Sequence, residues 1–167
     1  MTVPAIADSS LNVIDSIFEA TTTQSQDATG VSFADTMSSA TLKFANNSIT
    51  ATSGGAIARG IYISTSLANS NTAISHSTIT ATSGGTAQGI LMTEAAIGTI
   101  SLRGNAITGS SSSGPLDAAI TNTAAGTLEV YTCPPNTWNT VEIGHLGFPG
   151  YTSATLTQSS PCTRTET

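Results

Sequence analysis

Asp15, Asn46 and His76 follow one another at nearly equal intervals of about thirty residues. They carry a carboxylate, an amide and an imidazole. A column that held these three groups side by side would offer a general acid and a general base. Two repeats separate Asp15 from His76, about 10 Å at the usual spacing of strands, which is too far for direct contact. Asp15 and His76 are therefore weak catalytic candidates, and an ordinary polar edge is the favoured alternative.

Glycoside hydrolysis needs two carboxyl groups that face each other across a cleft, roughly 5–9.5 Å apart. Asp15 and Glu19 form a close pair in the first repeat, but the next repeat has Asn46 and Thr50 at those positions. The sequence thus favours a non-enzymatic protein. A polysaccharide lyase or hydrolase is the alternative.

Charged residues are rare, at 8% of the chain, and the net charge is −6. The cations Lys43, Arg59, Arg103 and Arg164 form no basic stripe, so we expect no binding to nucleic acid or anionic lipid. Arg59 and Arg103 are interpreted as isolated surface arginines. No apolar run approaches the length of a membrane span, so we expect no membrane insertion. No motif indicates a metal or a cofactor.

Threonines form two rows at outward strand positions, and these rows are the predicted binding surface. The first row is Glu19, Thr50, Thr80 and Thr108, and the second is Thr21, Thr52, Thr82 and Ser110. We predict that Thr50, Thr52, Thr80, Thr82 and Thr108 bind a partner. Flat Thr-x-Thr rows resemble the surface of hyperactive ice-binding proteins, which makes ice binding a further alternative. Threonine also suits exposed strand positions without any function.

The elements that would position these residues repeat along the chain. The seven residues from Ile49 to Gly55 return unchanged from Ile79 to Gly85, and such a period indicates stacked structural units. Apolar and polar residues alternate with period two within a unit, which indicates strands. In four units, two apolar residues lie five positions apart. These pairs are Val13 and Phe18, Phe44 and Ile49, Ile74 and Ile79, and Leu102 and Ile107.

These patterns predict an all-β parallel solenoid with three short strands in each coil, in which Phe18, Ile49, Ile79 and Ile107 share one apolar column. A short helix behind Ser10 is an alternative for the first unit, because apolar residues also recur there at helical spacing. We favour strands in that segment, since it fits the repeat.

A polar residue lies two positions before the second apolar residue of each unit. These residues are Ser16, Asn47, Ser77 and Asn105. Small amides and hydroxyls at a tight corner can satisfy backbone groups that leave the strands. We therefore predict a structural ladder here and no ligand site.

The repeat pattern ends near residue 132. We predict a lead-in at 1–10, a solenoid at 11–132 and a C-terminal cap or junction at 133–167. Cys133 and Cys162 are disulfide candidates that would hold the last segment, with two free thiols as the alternative. Trp138 would pack over the final coil, and a partner site is the alternative.

The repeats resemble the right-handed parallel β-helix of the pectate-lyase-like superfamily, through the segments Ile14–Phe18 and Asn46–Ile49. Phe44 to Asn47 followed by Gly54 to Ile57 is similar to the FxxN and GGAI motifs of chlamydial polymorphic outer-membrane proteins. Those proteins are autotransporters with β-helical passengers that act as adhesins. The resemblance implies a right-handed β-helix that is displayed outside the cell, and the repeat units predict four to five coils.

The favoured function is therefore a non-enzymatic adhesin or passenger module that binds a protein or a glycan through polar faces. We expect an extracellular or cell-surface location, although Met1 to Ser10 has no signal-peptide pattern. Exposed ends of a solenoid also predict end-to-end or lateral self-association.

Overall fold

The computed structural model describes residues 1–35, 37–65, 67–93, 98–112, 118–122, 128–133, 136–138, 141–142, 151–152 and 156–158. Every regular element in these ranges is a β-strand, so the all-β prediction is confirmed. The strands, in chain order, are β1 (Thr2–Val3), β2 (Ile6–Ala7), β3 (Ser10–Ile14), β4 (Ile17–Thr22), β5 (Ala28–Phe33), β6 (Met37–Ser38), β7 (Thr41–Ala45), β8 (Ser48–Ser53), β9 (Ile57–Ile63), β10 (Leu67–Ala68), β11 (Ser70–Ser75), β12 (Thr78–Ser83), β13 (Thr86–Met92), β14 (Gly98–Arg103), β15 (Ala106–Ser111), β16 (Ala118–Asn122), β17 (Leu128–Cys133), β18 (Thr137–Trp138), β19 (Val141–Glu142), β20 (Tyr151–Thr152) and β21 (Leu156–Gln158).

Successive passes of the chain stack these strands into three six-stranded sheets and one short corner sheet. Sheet 1 has the order β3-β7-β11-β14-β17-β21, sheet 2 the order β4-β8-β12-β15-β18-β19, and sheet 3 the order β1-β5-β9-β13-β16-β20. The corner sheet has the order β2-β6-β10. Strands pair in parallel throughout the described residues, except that β18 and β19 are antiparallel. The fold is a parallel β-solenoid, as predicted. Its right-handedness and its number of coils remain predictions.

The register of sheet 2 confirms the predicted apolar column. Phe18 pairs with Ile49, Ile49 with Ile79, and Ile79 with Ile107. The three isoleucines are buried, while Phe18 is half-buried because its strand lies at the edge of the sheet. Strands β3 and β4 occupy the segment for which a short helix was the alternative, so the favoured interpretation of that segment is confirmed.

The coil predicted from the sequence had three strands and did not include the corner sheet. Its strands are two residues long and lie between sheet 3 and sheet 1. Met37 is fully buried in this sheet, and Phe33 and Phe44 pack edge to face nearby in the same core, with ring centroids 5.4 Å apart. The corner strands thus close the core where the chain turns back into the next coil.

Glycine residues in sheet 3 allow this sheet to pack close to sheet 2. A Cβ atom on Gly30 would lie 2.6 Å from Cγ2 of Ile49, and one on Gly60 would collide with Cγ2 of Ile79. The same Cβ on Gly60 would lie 2.7 Å from the carbonyl oxygen of Gly89. Any larger residue must therefore displace either the buried isoleucine or the backbone of the next coil.

Thr72 is a polar residue inside the core of sheet 1. Thr72 is 2% exposed, and its register neighbour on β7 is Leu42. The hydroxyl of Thr72 has no hydrogen-bond partner among the described residues. A buried hydroxyl without a partner lowers the stability of the fold.

The division at residues 10 and 132 stays a prediction. Within the lead-in, β1 pairs with β5 and β2 pairs with β6. Within the predicted cap, β18, β20 and β21 continue the parallel pairing of the preceding coils. Cys133 ends β17, but Cys162 lies outside the described residues, so the disulfide also stays a prediction.

Candidate functional site

The predicted binding residues lie together on the outer surface of sheet 2. Thr50 pairs with Thr80 and Thr80 with Thr108, while Thr52 pairs with Thr82. With the other outward positions of β8, β12 and β15 they form a grid of three residues by three. We call this grid the threonine face, and it consists of Ser48, Thr50, Thr52, Thr78, Thr80, Thr82, Ala106, Thr108 and Ser110.

The grid is regular because neighbouring strands pair without any offset. Strands in a sheet lie about 4.8 Å apart, and alternate residues of a strand are about 6.6 Å apart, so the nine Cα atoms span roughly 10 Å by 13 Å. All nine residues are uncharged and are exposed or half-buried. Glu19, on the edge strand β4, pairs with Thr50 and places a negative charge at one border of the face.

The local sequence explains why this surface is open. Inward positions of the same strands hold isoleucine, then alanine or glycine, then serine, and Ala51 and Ala81 are fully buried against the alanines of sheet 3. The outward hydroxyls form no hydrogen bond with any residue that the structure describes. Their donors and acceptors are therefore available to a partner.

A hydrogen-bonded column runs along the corner between sheets 1 and 2. The backbone N–H of Ser16 donates to Oδ1 of Asn47 at 3.0 Å, and that of Asn47 donates to Oγ of Ser77 at 3.2 Å. In turn, the N–H of Ser77 donates to Oδ1 of Asn105 at 3.0 Å. The N–H of Asn105 then donates to Oδ1 of Asn136 at 2.9 Å. Each polar side chain thus receives a backbone N–H from the coil before it.

The asparagines of this column also satisfy carbonyl groups. Nδ2 of Asn47 donates to the carbonyl oxygen of Val13 at 2.9 Å, and Nδ2 of Asn105 donates to that of Ile74 at 2.7 Å. Both asparagines are buried. Asn136 continues the column but was absent from the predicted ladder. The signal was available, because Asn136 lies two residues before Trp138, as Asn105 lies two residues before Ile107.

A second column of hydroxyls supports the turn between sheets 2 and 3, and sequence reasoning missed it. Oγ of Ser53 donates to the carbonyl oxygen of Gln26 at 2.7 Å, and Oγ of Ser83 donates to that of Ala56 at 2.5 Å. Oγ of Ser111 hydrogen-bonds to the carbonyl oxygen of Gly85. The repeated serine at the inward end of each strand was the available signal.

The catalytic candidates lie at a backbone corner. Asp15, Asn46 and His76 are exposed, and each has a positive φ, of 52°, 57° and 49°. Gly104 follows in the next coil with a φ of 62°, and a Cβ on it would lie 3.0 Å from the His76 ring. Asparagine, aspartate, histidine and glycine are the residues that most readily adopt this left-handed conformation. Backbone geometry therefore accounts for the residue types in this column.

Arg59 is part of a small cluster on the outer surface of sheet 3, so the prediction of an isolated surface arginine is wrong for this residue. Nη1 of Arg59 lies 2.8 Å from Oδ2 of Asp27, and the guanidinium lies 4.9 Å from the ring centroid of Tyr62. The backbone N–H of Ile57 also donates to Asp27. The sequence alone could not predict that Arg59 pairs with Asp27, which lies 32 residues earlier in a corner loop.

This cluster changes the acidity of Asp27. Partial burial raises the pKa of Asp27, but the hydrogen bonds from Arg59 and from the N–H of Ile57, with the charge of Arg59, lower it more. The pKa therefore lies below its ordinary value of 3.8. The cluster fixes the loop before β5 to the next coil.

The part of the chain that the structure describes holds no group of three or more His, Cys, Asp or Glu residues that could bind a metal ion. It also contains no helix with the length and apolar character needed to cross a bilayer. Comparisons with protein-family models, curated proteins and solved structures found no match.

Proposed function

We propose that this chain is a non-enzymatic binding module whose threonine face contacts an extended, neutral glycan. The regular grid of free hydroxyls on β8, β12 and β15 is the observation that carries the proposal. Each hydrogen bond contributes only about 0.5–1.5 kcal/mol. Useful affinity therefore requires several hydroxyls to bind at once, and an extended repeating polymer can do this.

Charge supports a neutral partner. The chain carries a net charge of −6, and Glu19 borders the threonine face. An acidic polysaccharide would be repelled by the protein as a whole. The face itself offers hydroxyl groups and the methyl groups of threonine, which match the hydroxyl groups and C–H surfaces of neutral sugars.

The module acts outside the cell, as an adhesin or as the passenger of a longer secreted protein, and its solenoid is the right-handed β-helix of the pectate-lyase-like kind. The low content of charged residues and the similarity of Phe44 to Asn47 and Gly54 to Ile57 to autotransporter passenger motifs support this proposal. Polysaccharide cleavage is less favoured, because backbone geometry accounts for Asp15 and His76.

A glycan array printed with neutral and acidic sugars tests the proposal directly. The purified chain should bind neutral extended glycans, and Thr80→Glu should reduce that binding at least about tenfold, because a charge at the centre of the grid must be desolvated on contact. Thr41→Glu is the matched control, since Thr41 is an exposed threonine on sheet 1. Equal binding by the two variants, or no glycan binding by the wild type, would reject the threonine face as the site.

Ice is a second candidate ligand, and the regularity of the grid favours it. A crystal surface repeats in two dimensions, as the nine positions of the threonine face do. Thermal hysteresis of the purified chain measures this activity, and Thr80→Glu should abolish it. A freezing point equal to the melting point would end this candidacy without affecting the glycan proposal.

A further inference from the structure

We propose that the threonine face binds a β-1,4-linked chain of neutral sugars that runs across the strands, along the axis of the solenoid, with one sugar on each coil. A glucan of the cellulose type represents this class of ligand. The inference rests on the glycan-binding function proposed above, and it adds the linkage and the direction of the bound chain.

Two columns of hydroxyl groups form the track for this chain. The first column consists of Thr50, Thr80 and Thr108, and the second of Thr52, Thr82 and Ser110. Each strand of the threonine face thus contributes one exposed or half-buried hydroxyl to each column. The third row of outward positions is not a complete hydroxyl column, because it contains Ala106.

The interval between hydroxyls along a column fits the repeat of such a polymer. Neighbouring strands lie about 4.8 Å apart, so each column offers a hydroxyl at that interval. An extended chain of β-1,4-linked pyranoses advances by nearly the same distance with each ring. Over three coils the small difference stays within the reach of hydroxyl groups, which rotate to meet a partner. Along a strand the interval is about 6.6 Å, which does not match one ring per position.

The distance between the two columns fits the width of a sugar ring. The columns lie about 6.6 Å apart, because their residues alternate along each strand. A β-1,4-linked pyranose is flat and carries hydroxyl groups on both long edges, and successive rings are turned over. A track with hydroxyls on both sides can therefore bind every ring. Thr50 and Thr52 of β8 flank one ring, and Thr80 and Thr82 of β12 flank the next.

Hydrogen-bonded columns at both ends of the strands hold this spacing fixed. Just before β8, β12 and β15 begin, the coils are linked through Asn47, Ser77 and Asn105. Where the same strands end, the coils are linked through Ser53, Ser83 and Ser111. The outward hydroxyls are therefore held at their positions before a ligand arrives, which lowers the entropy cost of binding.

Glu19 marks one border of the track and favours a neutral chain. It pairs with Thr50 and takes the place of a threonine in the first column, while Thr21 pairs with Thr52 in the second. A charged sugar acid would be repelled by the carboxylate of Glu19. A hydroxyl group of a neutral sugar can instead donate a hydrogen bond to it. Three coils thus offer paired hydroxyls, and Glu19 with Thr21 can bind a fourth sugar.

Isothermal titration calorimetry with cello-oligosaccharides of increasing length tests this proposal. Affinity should rise with each sugar up to about four and change little beyond that length, because four strands contribute to the track. Malto-oligosaccharides are the matched ligands, since they contain the same sugar in the same number but their α linkage curves the chain. They should bind at least about fivefold more weakly at equal length, because a curved chain loses contacts with the outer strands.

Valine substitutions at the two ends of the first column test the direction of the bound chain. Thr50→Val and Thr108→Val each remove one hydroxyl and keep the shape and strand preference of the side chain. Each should weaken cellotetraose binding about twofold to tenfold, the effect of one lost hydrogen bond. Thr41→Val on sheet 1 is the matched control and should bind like the wild type. A glycan that lay along β12 would not depend on Thr50 or Thr108.

Several results would overturn the track. One is equal affinity for cello- and malto-oligosaccharides of the same length, and another is an affinity that does not change between two and six sugars. A third is binding by Thr50→Val and Thr108→Val that equals that of Thr41→Val. A fourth is a chain that binds other neutral glycans but no cello-oligosaccharide. All four leave the proposed function in place if Thr80→Glu still reduces glycan binding on the array, whereas a wild-type chain that binds no glycan rejects both proposals.

Discussion

The side-chain amide of Asn105 gives the sharpest test of the hydrogen-bonded column between sheets 1 and 2. Its Oδ1 accepts the backbone N–H of Ser77, its Nδ2 donates to the carbonyl oxygen of Ile74, and the residue is 1% exposed. Asn105→Ala leaves the buried N–H of Ser77 without a partner and removes one of the donors to the Ile74 carbonyl, which stays in the parallel pairing of β11 with β14. The orphaned N–H costs about 1–3 kcal/mol and the lost hydrogen bond about 1 kcal/mol, so the free energy of unfolding should fall by roughly 2–4 kcal/mol.

Urea unfolding followed by circular dichroism measures this loss, which is large against a typical total of about 5–15 kcal/mol. A loss of about 3 kcal/mol should lower the melting temperature by roughly 6–12 °C for a chain of this size. Asn105→Ser should lose less, because Oγ of Ser77 fills the equivalent position for Asn47 at 3.2 Å. Asn12→Ala is the control, since Asn12 is exposed on β3 and its side chain forms no hydrogen bond with the described residues.

Hydrogen exchange locates the effect at a single amide. In Asn105→Ala the N–H of Ser77 should exchange much faster, while the N–H of Ser16, which is bonded to Asn47, should keep its protection. The reasoning is refuted if Asn105→Ala costs no more stability than Asn12→Ala. It is also refuted if the Ser77 amide stays protected, because the side chain of Asn105 would then not be its acceptor.

Three further changes test the core and the corner cluster. Thr72→Val should raise the free energy of unfolding by about 1 kcal/mol in a urea titration, because it removes a buried hydroxyl that has no partner. Gly60→Ala should lower it by about 1–3 kcal/mol, because the new Cβ collides with Ile79, whereas Gly55→Ala, whose Cβ would lie no closer than 3.3 Å to its neighbours, should cost far less. Because the pKa of Asp27 is lowered on folding, its ion pair stabilises the protein above pH 3.8, and that contribution is lost as the pH falls through the folded pKa. In acid unfolding curves Asp27→Asn should remove this part of the pH dependence, a change below about 1 kcal/mol because the carboxylate is half exposed.

Repetition made sheet 2 the most predictable part of the molecule. The identical segments at 49–55 and 79–85 predict equal strands, and the structure pairs them without offset. The inward positions of Ile49 and Ile79 followed from the alternation of apolar and polar residues, since that alternation has the period of a strand. The outward position of Thr80 followed from the same alternation.

Other structural features depend on contacts between residues that the repeat pattern of the sequence does not connect. Arg59 meets Asp27 because a corner loop of one coil lies beside the next strand, and the loop has no repeated sequence that reveals this. The two-residue corner strands, such as β6, are too short to show a period. His76 was a catalytic candidate because of its residue type alone. Its positive φ accounts for a histidine at this position without a catalytic role.

The sequence by itself determined the strand period, the length of the repeat and the side of the sheet to which each repeated residue belongs. These properties are local, because a side chain's direction along a strand depends only on the parity of its position. The tertiary structure decided which backbone groups the serines and asparagines satisfy and where glycine is required. Those properties depend on distances between coils, and the distances are fixed only when one coil packs on the next.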